Sequence, residues 1–255
     1  MTMGRPLSSE TLAEVLRDVR AVVFDTDGVI TDSARVHAAA WKTAFDAHLR
    51  AHPPENPDLR RPFDVRDDYL RHVDGKSRLD GAAAFLAARG IDPSPETVRA
   101  VAAEKERLFT EQLRKHGVDA YPGTVRLVLA LRRAGVVCAA ASASRHAGEL
   151  LGRAGVLDLF DLLVDGGEAA RLGLAGKPEP DLFLEAVRRL GFPARRAAVV
   201  EDALAGVEAG RRGGFALVIG VDRAAGEDTG ARLLRHGADV VVRDLGELVA
   251  EGEPK

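Results

Sequence analysis

Six short apolar runs in this chain lack the polar alternation of a strand with one wet face. They are AVVF at 21–24, VVCAAA at 136–141, LLV at 162–164, AAVV at 197–200, ALVIGV at 216–221 and DVVV at 239–242. A strand that reads apolar throughout has to be covered on both faces, which a parallel sheet flanked by helices provides. Helix-patterned segments separate the runs. DLFLEAVRRLG at 181–191, for instance, has Pro180 at its entry and Gly191 at its exit. This alternation predicts a doubly wound α/β domain.

Residues 34 to 118 have a different texture. ARVHAAAWKTAFDAHL and PETVRAVAAEKERLFTEQLRKHG are long and helix-patterned, and Val98, Val101, Ala102, Leu108, Phe109 and Leu113 form one apolar stripe in the second. No strand pattern falls among them, and the Pro-rich HPPENPDLRRP at 52–62 reads as an irregular loop. The division expected is a core of residues 1–33 and 119–255, with an all-helical insertion at 34–118. Trp41 and Phe45 are expected in the core of that insertion. Leu12, Val15, Leu16 and Val19 fall at helical spacing and predict a short amphipathic helix before the first strand.

Composition narrows the function classes. A net charge of −3 offers no electrostatic case for nucleic acid or an anionic membrane. The N-terminal stretch carries Glu10, Glu14 and Asp18 and has no unbroken apolar core, so neither a signal peptide nor a membrane span is expected. One cysteine, Cys138, excludes an intrachain disulfide and suggests a reducing, cytoplasmic setting. Cys138 lies inside an apolar run and reads as a packing residue. The charged stretch at 223–237 reads as a solvated loop and helix.

The polar residues at the strand ends then line up. The first run ends in Asp25, with Asp27 two residues on; the second ends in Ser142; the fourth ends in Glu201 and Asp202. Open parallel sheets bind ligands outside the carboxyl ends of their strands, where strand order reverses. Two carboxylates this close repel each other unless a cation or a shared proton relieves them. Two or three carboxylates with a backbone carbonyl form a hard oxygen site suited to Mg2+, which also takes substrate phosphate. Lys177, in GKPEPD, and the Ser142 hydroxyl would add positive charge and donors for a phosphoryl group. One aspartate can then act as nucleophile while its neighbour protonates the leaving oxygen.

DTDGVITDS, the SAS after the second run, KPEPDLF and EDALAGVEAG, in that order, resemble the four motifs of the haloacid dehalogenase superfamily. The helical insertion after the first motif, together with FDTDGVITDSARVHAAAWK, YPG and ASAS, is similar to its β-phosphoglucomutase-like branch. The resemblance implies a Rossmann-like core with a helical cap. It makes Asp25 the nucleophile and Asp27 the general acid/base. Asp25, the Asp27 carbonyl and Asp202 would hold Mg2+, with Glu201 in or next to that set. Ser142, Ala143 and Lys177 would grip the transferring phosphoryl group. In the cap, His37 would couple substrate binding to proton transfer, Arg78 would hold the non-transferring phosphate, and Lys105 would contact substrate.

The partner implied is a small phosphorylated metabolite, a sugar phosphate, with no obligate protein partner. The chain departs from the mutases at Asp74, where they carry lysine, at His146, where they carry asparagine, and in the longer 52–62 loop. A mutase acting through an aspartyl phosphate is the activity expected, with a sugar-phosphate phosphatase as the alternative. Dehalogenation needs neither a metal nor an acid two residues on, so Asp27 and Asp202 argue against it. The full set of polar residues argues against a non-catalytic scaffold.

Overall fold

A computed structural model describes residues 18–223 and 228–249. The expected helix at Leu12, Val15 and Leu16 lies outside them. Val19 is buried but not helical, in the stretch that leads into the first strand.

The six runs form β1 (Ala21–Asp25), β2 (Val137–Ala141), β3 (Leu162–Val164), β4 (Ala197–Glu201), β5 (Leu217–Val221) and β6 (Val240–Val242). They make one parallel sheet in the order β3-β2-β1-β4-β5-β6. Successive side chains explain the absence of alternation. Val22 and Phe24 of β1, Ala198 and Val200 of β4, and Leu217 and Ile219 of β5 enter one apolar layer. Ala21 and Val23, Ala197 and Val199, and Val218 enter the other. The first layer is closed by Leu127, Val128 and Leu131 of α4 (Pro122–Arg133). The second is closed by Phe183 and Val187 of α7 (Asp181–Arg189) and Val207 of α8 (Leu204–Arg212). α5 (Ala147–Arg153), α6 (Gly166–Leu172) and α9 (Thr229–His236) also belong to this part. The chain therefore runs outward from β1 to β3 and returns to β4 on the other side of β1, which puts the reversal of strand order between β1 and β4.

Between β1 and α4 lie α1 (Ala34–Ala51), α2 (Arg78–Ala88) and α3 (Pro95–His116). Ser77 and Ser94 cap α2 and α3 by accepting from the backbone N–H groups of Asp80 and Thr97. Trp41, Phe45, Phe63, Phe85 and Val101 build a separate apolar core here. The lower end of the α3 stripe, Phe109 and Leu113, instead packs with Leu150 of α5. The Pro-rich loop holds one 3-10 turn, at Pro57–Leu59. Beyond that loop, buried Asp68 ties the chain down through Arg61, at 2.8 Å, and Arg89, at 2.6 Å. A single π turn, Tyr69–Val73, leads from there to Asp74.

The two stretches that join this helical part to the sheet run side by side. Thr31 and Ala120 form an antiparallel bridge, Asp32 N–H donates to Asp119, and Tyr121 N–H donates to Ile30. The Tyr121 hydroxyl reaches Asp32 Oδ1 at 3.1 Å.

Candidate active site

The carboxyl ends of β1 and β4 lead into a cavity of about 240 Å3 between the sheet and the helical part. Asp25, Asp27, Lys177 and Asp202 line it from one side, and His37, Asp74, Arg78 and Lys105 from the other. Ala143 also lines it; Ser142 is fully buried behind the wall, its Oγ accepting from Ser144 N–H at 3.1 Å. The structure thus gathers at one cavity nearly all the residues singled out in the sequence.

Lys177 is the hub of the deep end. Its ammonium donates to Asp25 Oδ1 and to Glu201 Oε1, each at 2.5 Å. Burial alone would lower its pKa, but the two carboxylates outweigh that and hold it above the ordinary lysine value. Asp25 Oδ2 accepts the N–H of Asp27 at 2.9 Å, so both Asp25 oxygens are oriented by the protein. Glu201 is likewise spent on protein donors: its second oxygen takes the N–H of Ala203 at 2.6 Å. That carboxylate lies against Gly206, where an added Cβ would stand 1.7 Å from Oε1. Glu201 is therefore built as a brace for Lys177 and for the entry of α8.

Asp202 is placed differently. It is only partly buried, and its Oδ2 would stand 1.8 Å from a Cβ at position 28, so only glycine fits there. Gly28 also has φ +80°, in the left-handed region that glycine adopts without strain. The turn after β1 thus brings a backbone with two acids under a third. Four carboxylates, those of Asp25, Asp74, Glu201 and Asp202, share the charge of the buried Lys177 ammonium. Burial, with Asp74, Glu201 and Asp25, pushes Asp202 well above the usual carboxyl range. Burial and Glu201 push Asp74 up to about 7. This excess of buried acid is the setting a divalent cation relieves. Among the described residues no three acidic, histidine or cysteine side chains already stand at ligating spacing. Mg2+ does not need that, since it keeps several waters and binds through one or two carboxylates plus substrate phosphate.

Asp27 faces the helical part. Ser33 Oγ donates to its Oδ1, and His37 Nε2 lies 3.2 Å from the same oxygen. Burial would raise its pKa, but His37 and Ser33, with Lys105 beyond, hold it well below the usual carboxylate range. Lys105 Nζ stands 2.8 Å from His37 Nδ1. Burial and the Lys105 charge both lower the His37 pKa, so the ring is neutral and accepts from Lys105 at Nδ1. Its buried Nε2 makes no hydrogen bond, despite lying 3.2 Å from Asp27 Oδ1. Burial lowers Lys105 itself to about 8.

Two residues at this site carry no mark in the sequence. Glu106, on α3, pairs with Arg78 at 2.7 Å and also contacts His146. Arg223 falls in the stretch expected to be a solvated loop, yet its side chain is largely buried. Its Nε donates to the Gly28 carbonyl at 3.1 Å, and its guanidinium lies 3.7 Å from the Tyr121 ring centre. Arg223 thereby braces both the turn after β1 and the joining stretches. Cys138 is fully buried with its thiol pushed up to about 12, consistent with packing alone.

A reversal point lined with acids and one lysine, under a helical insertion, defines a class of phosphoryl-handling enzyme. The model of the haloacid dehalogenase-like hydrolase family matches residues 19–214, and the chain belongs to that family. Within it the chain is β-phosphoglucomutase-like. It is 41% identical to a protein named beta-phosphoglucomutase from Mycobacterium bovis, over 96% of this chain and 98% of that one. It is 33% identical to one of the same name from Bacillus subtilis, over 91% and 93%. A crystal structure of beta-phosphoglucomutase from Clostridium difficile superposes with a TM-score of 0.70 at 25% identity, covering 91% of this chain and 94% of that one. Among the described residues no helix is long and apolar enough to cross a membrane.

Proposed function

We propose that this enzyme isomerises a phosphorylated sugar by Mg2+-dependent phosphoryl transfer through an aspartyl phosphate on Asp25. What carries the reading is one juxtaposition: Asp25 against the Lys177 ammonium, with the Asp27 carboxylate two residues on facing a histidine. In the first half-reaction an Asp25 oxygen attacks phosphorus, the bond from phosphorus to the leaving sugar oxygen breaks, and Asp27 delivers a proton to that oxygen. In the second, Asp27 removes a proton from another hydroxyl of the sugar, which attacks the Asp25 phosphoryl group and frees the carboxylate.

Asp27 rests as the carboxylate, ready for the base role. Its acid role needs a proton from outside: Lys105 can pass one to His37 Nδ1 as Nε2 releases its own to Asp27, 3.2 Å away, which leaves the ring neutral and Lys105 as the amine. Lys177 offsets the charge of Asp25 and meets the transferring phosphoryl group. Asp25, the Asp27 carbonyl and Asp202 would hold Mg2+, with Glu201 bracing Lys177 rather than ligating. Bound there, the cation would neutralise phosphoryl oxygens and orient them for in-line attack. The helical part, residues 34–118, acts as a cap over the α/β core of 1–33 and 119–255. Its basic residues would take the far end of the substrate while it keeps water from the aspartyl phosphate.

Asp25→Asn tests the assignment. Turnover should be abolished while far-UV circular dichroism stays near wild type. Chelation with EDTA should inactivate the wild type and Mg2+ should restore it. Turnover by Asp25→Asn within about tenfold of wild type removes Asp25 from the chemistry.

A further inference from the structure

The cavity has an acidic floor and a wall with Lys76, Arg78 and Arg145. Glu106 is a carboxylate of that basic wall, and both its oxygens are engaged. Oε2 takes Arg78 Nη1 at 2.7 Å, and Oε1 contacts His146 Nε2. Arg78 opens α2, Glu106 lies on α3, and His146 caps α5 on the sheet side. One carboxylate therefore bridges two nitrogen donors across the boundary between the helical part and the core. Arg78 Nε is buried with no acceptor, so the guanidinium fork is only half used. A carboxylate presents two oxygens to the fork and histidine together; a phosphate would present three and reach Nε as well.

We propose that Glu106 is a specificity-determining positioning residue: an internal anion that holds Arg78 and His146 until the anionic end of a substrate replaces it there. The inference rests on the reading of this cavity as a phosphate-ligand site. Glu106 supplies, between the helical part and the core, the contact that a ligand would otherwise make. It also makes anion binding a competition. A ligand with a single negative charge gains little over the carboxylate it displaces, whereas a phosphate dianion gains charge and a third oxygen.

Isothermal titration of inorganic phosphate into Mg2+-free protein tests this without any turnover, so it stands apart from the fate of the proposed reaction. Glu106→Gln should bind phosphate about tenfold more tightly than wild type, Glu106→Ala at least as tightly, and Arg78→Ala/Glu106→Gln should lose the gain. Where turnover is measured, the KM of Glu106→Gln should fall more for glucose 1,6-bisphosphate than for p-nitrophenyl phosphate, which has no second anionic end. Phosphate binding that is unchanged or weaker in both Glu106 variants, or absent from every form, overturns the proposal.

Discussion

Lys105 stands 2.8 Å from His37 Nδ1 and thereby places the proton of that ring on Nε2, 3.2 Å from Asp27 Oδ1. The ammonium is buried among Trp41, Phe109 and His37, with its charge 4.6 Å from the Phe109 ring centre. Two helices of the insertion, α1 and α3, thus meet at a relay that ends on the acid/base candidate.

That relay sets a pH dependence. Lys105 is charged below about 8 and neutral above it, because burial lowers its pKa from 10.5. Losing its proton frees Nδ1 and removes the constraint on the tautomer. kcat/KM should therefore fall as pH rises through about 8, and Lys105→Met should lack that alkaline limb. Burial of the charge also opposes folding. That opposition is fully present below pH 8 and fades between pH 8 and 10.5, where the unfolded chain still holds the proton. A limb that persists unchanged in Lys105→Met belongs to another group.

Lys177→Met keeps the length of the side chain and removes its charge. Asp25 and Glu201 would then face each other with no ammonium between them. Breaking a buried pair this way costs about 3–5 kcal/mol, because the charges left behind are uncompensated. Urea unfolding of wild type and variant measures it. A loss below about 1 kcal/mol would mean that the two carboxylates are solvated or protonated in the folded protein.

Gly28→Ala would force a non-glycine residue to φ +80° and drive its Cβ into Asp202. The backbone alone costs about 1–2 kcal/mol. The displaced Asp202 should also raise the Mg2+ concentration needed for half-maximal activity, which is a readout the strain does not predict. A variant that loses stability but keeps the wild-type Mg2+ requirement would take Asp202 out of the metal set.

The sheet was legible because burial on both faces erases alternation, as Val22 and Phe24 on one side and Ala21 and Val23 on the other illustrate. The polar residues at its carboxyl edge were legible for a related reason: apolar runs rarely end by chance in chemistry-bearing residues at three places, here Asp25, Ser142 and Glu201–Asp202. Glu106 was not legible, since the flanking charges of EKER suit a solvated helix face equally well. Arg223 was hidden because its partner Gly28 lies 195 residues away, and nothing near either residue marks the contact. The π turn at Tyr69–Val73 left no periodic signal in a stretch of mixed polarity.

The central claim is that the phosphoryl group on Asp25 returns to a sugar hydroxyl instead of passing to water. Wild-type protein with Mg2+ and β-glucose 1-phosphate, primed with glucose 1,6-bisphosphate, should convert the substrate to glucose 6-phosphate, with free phosphate a minor product. Release of phosphate in step with substrate loss, without glucose 6-phosphate, would contradict the account and make the enzyme a phosphatase.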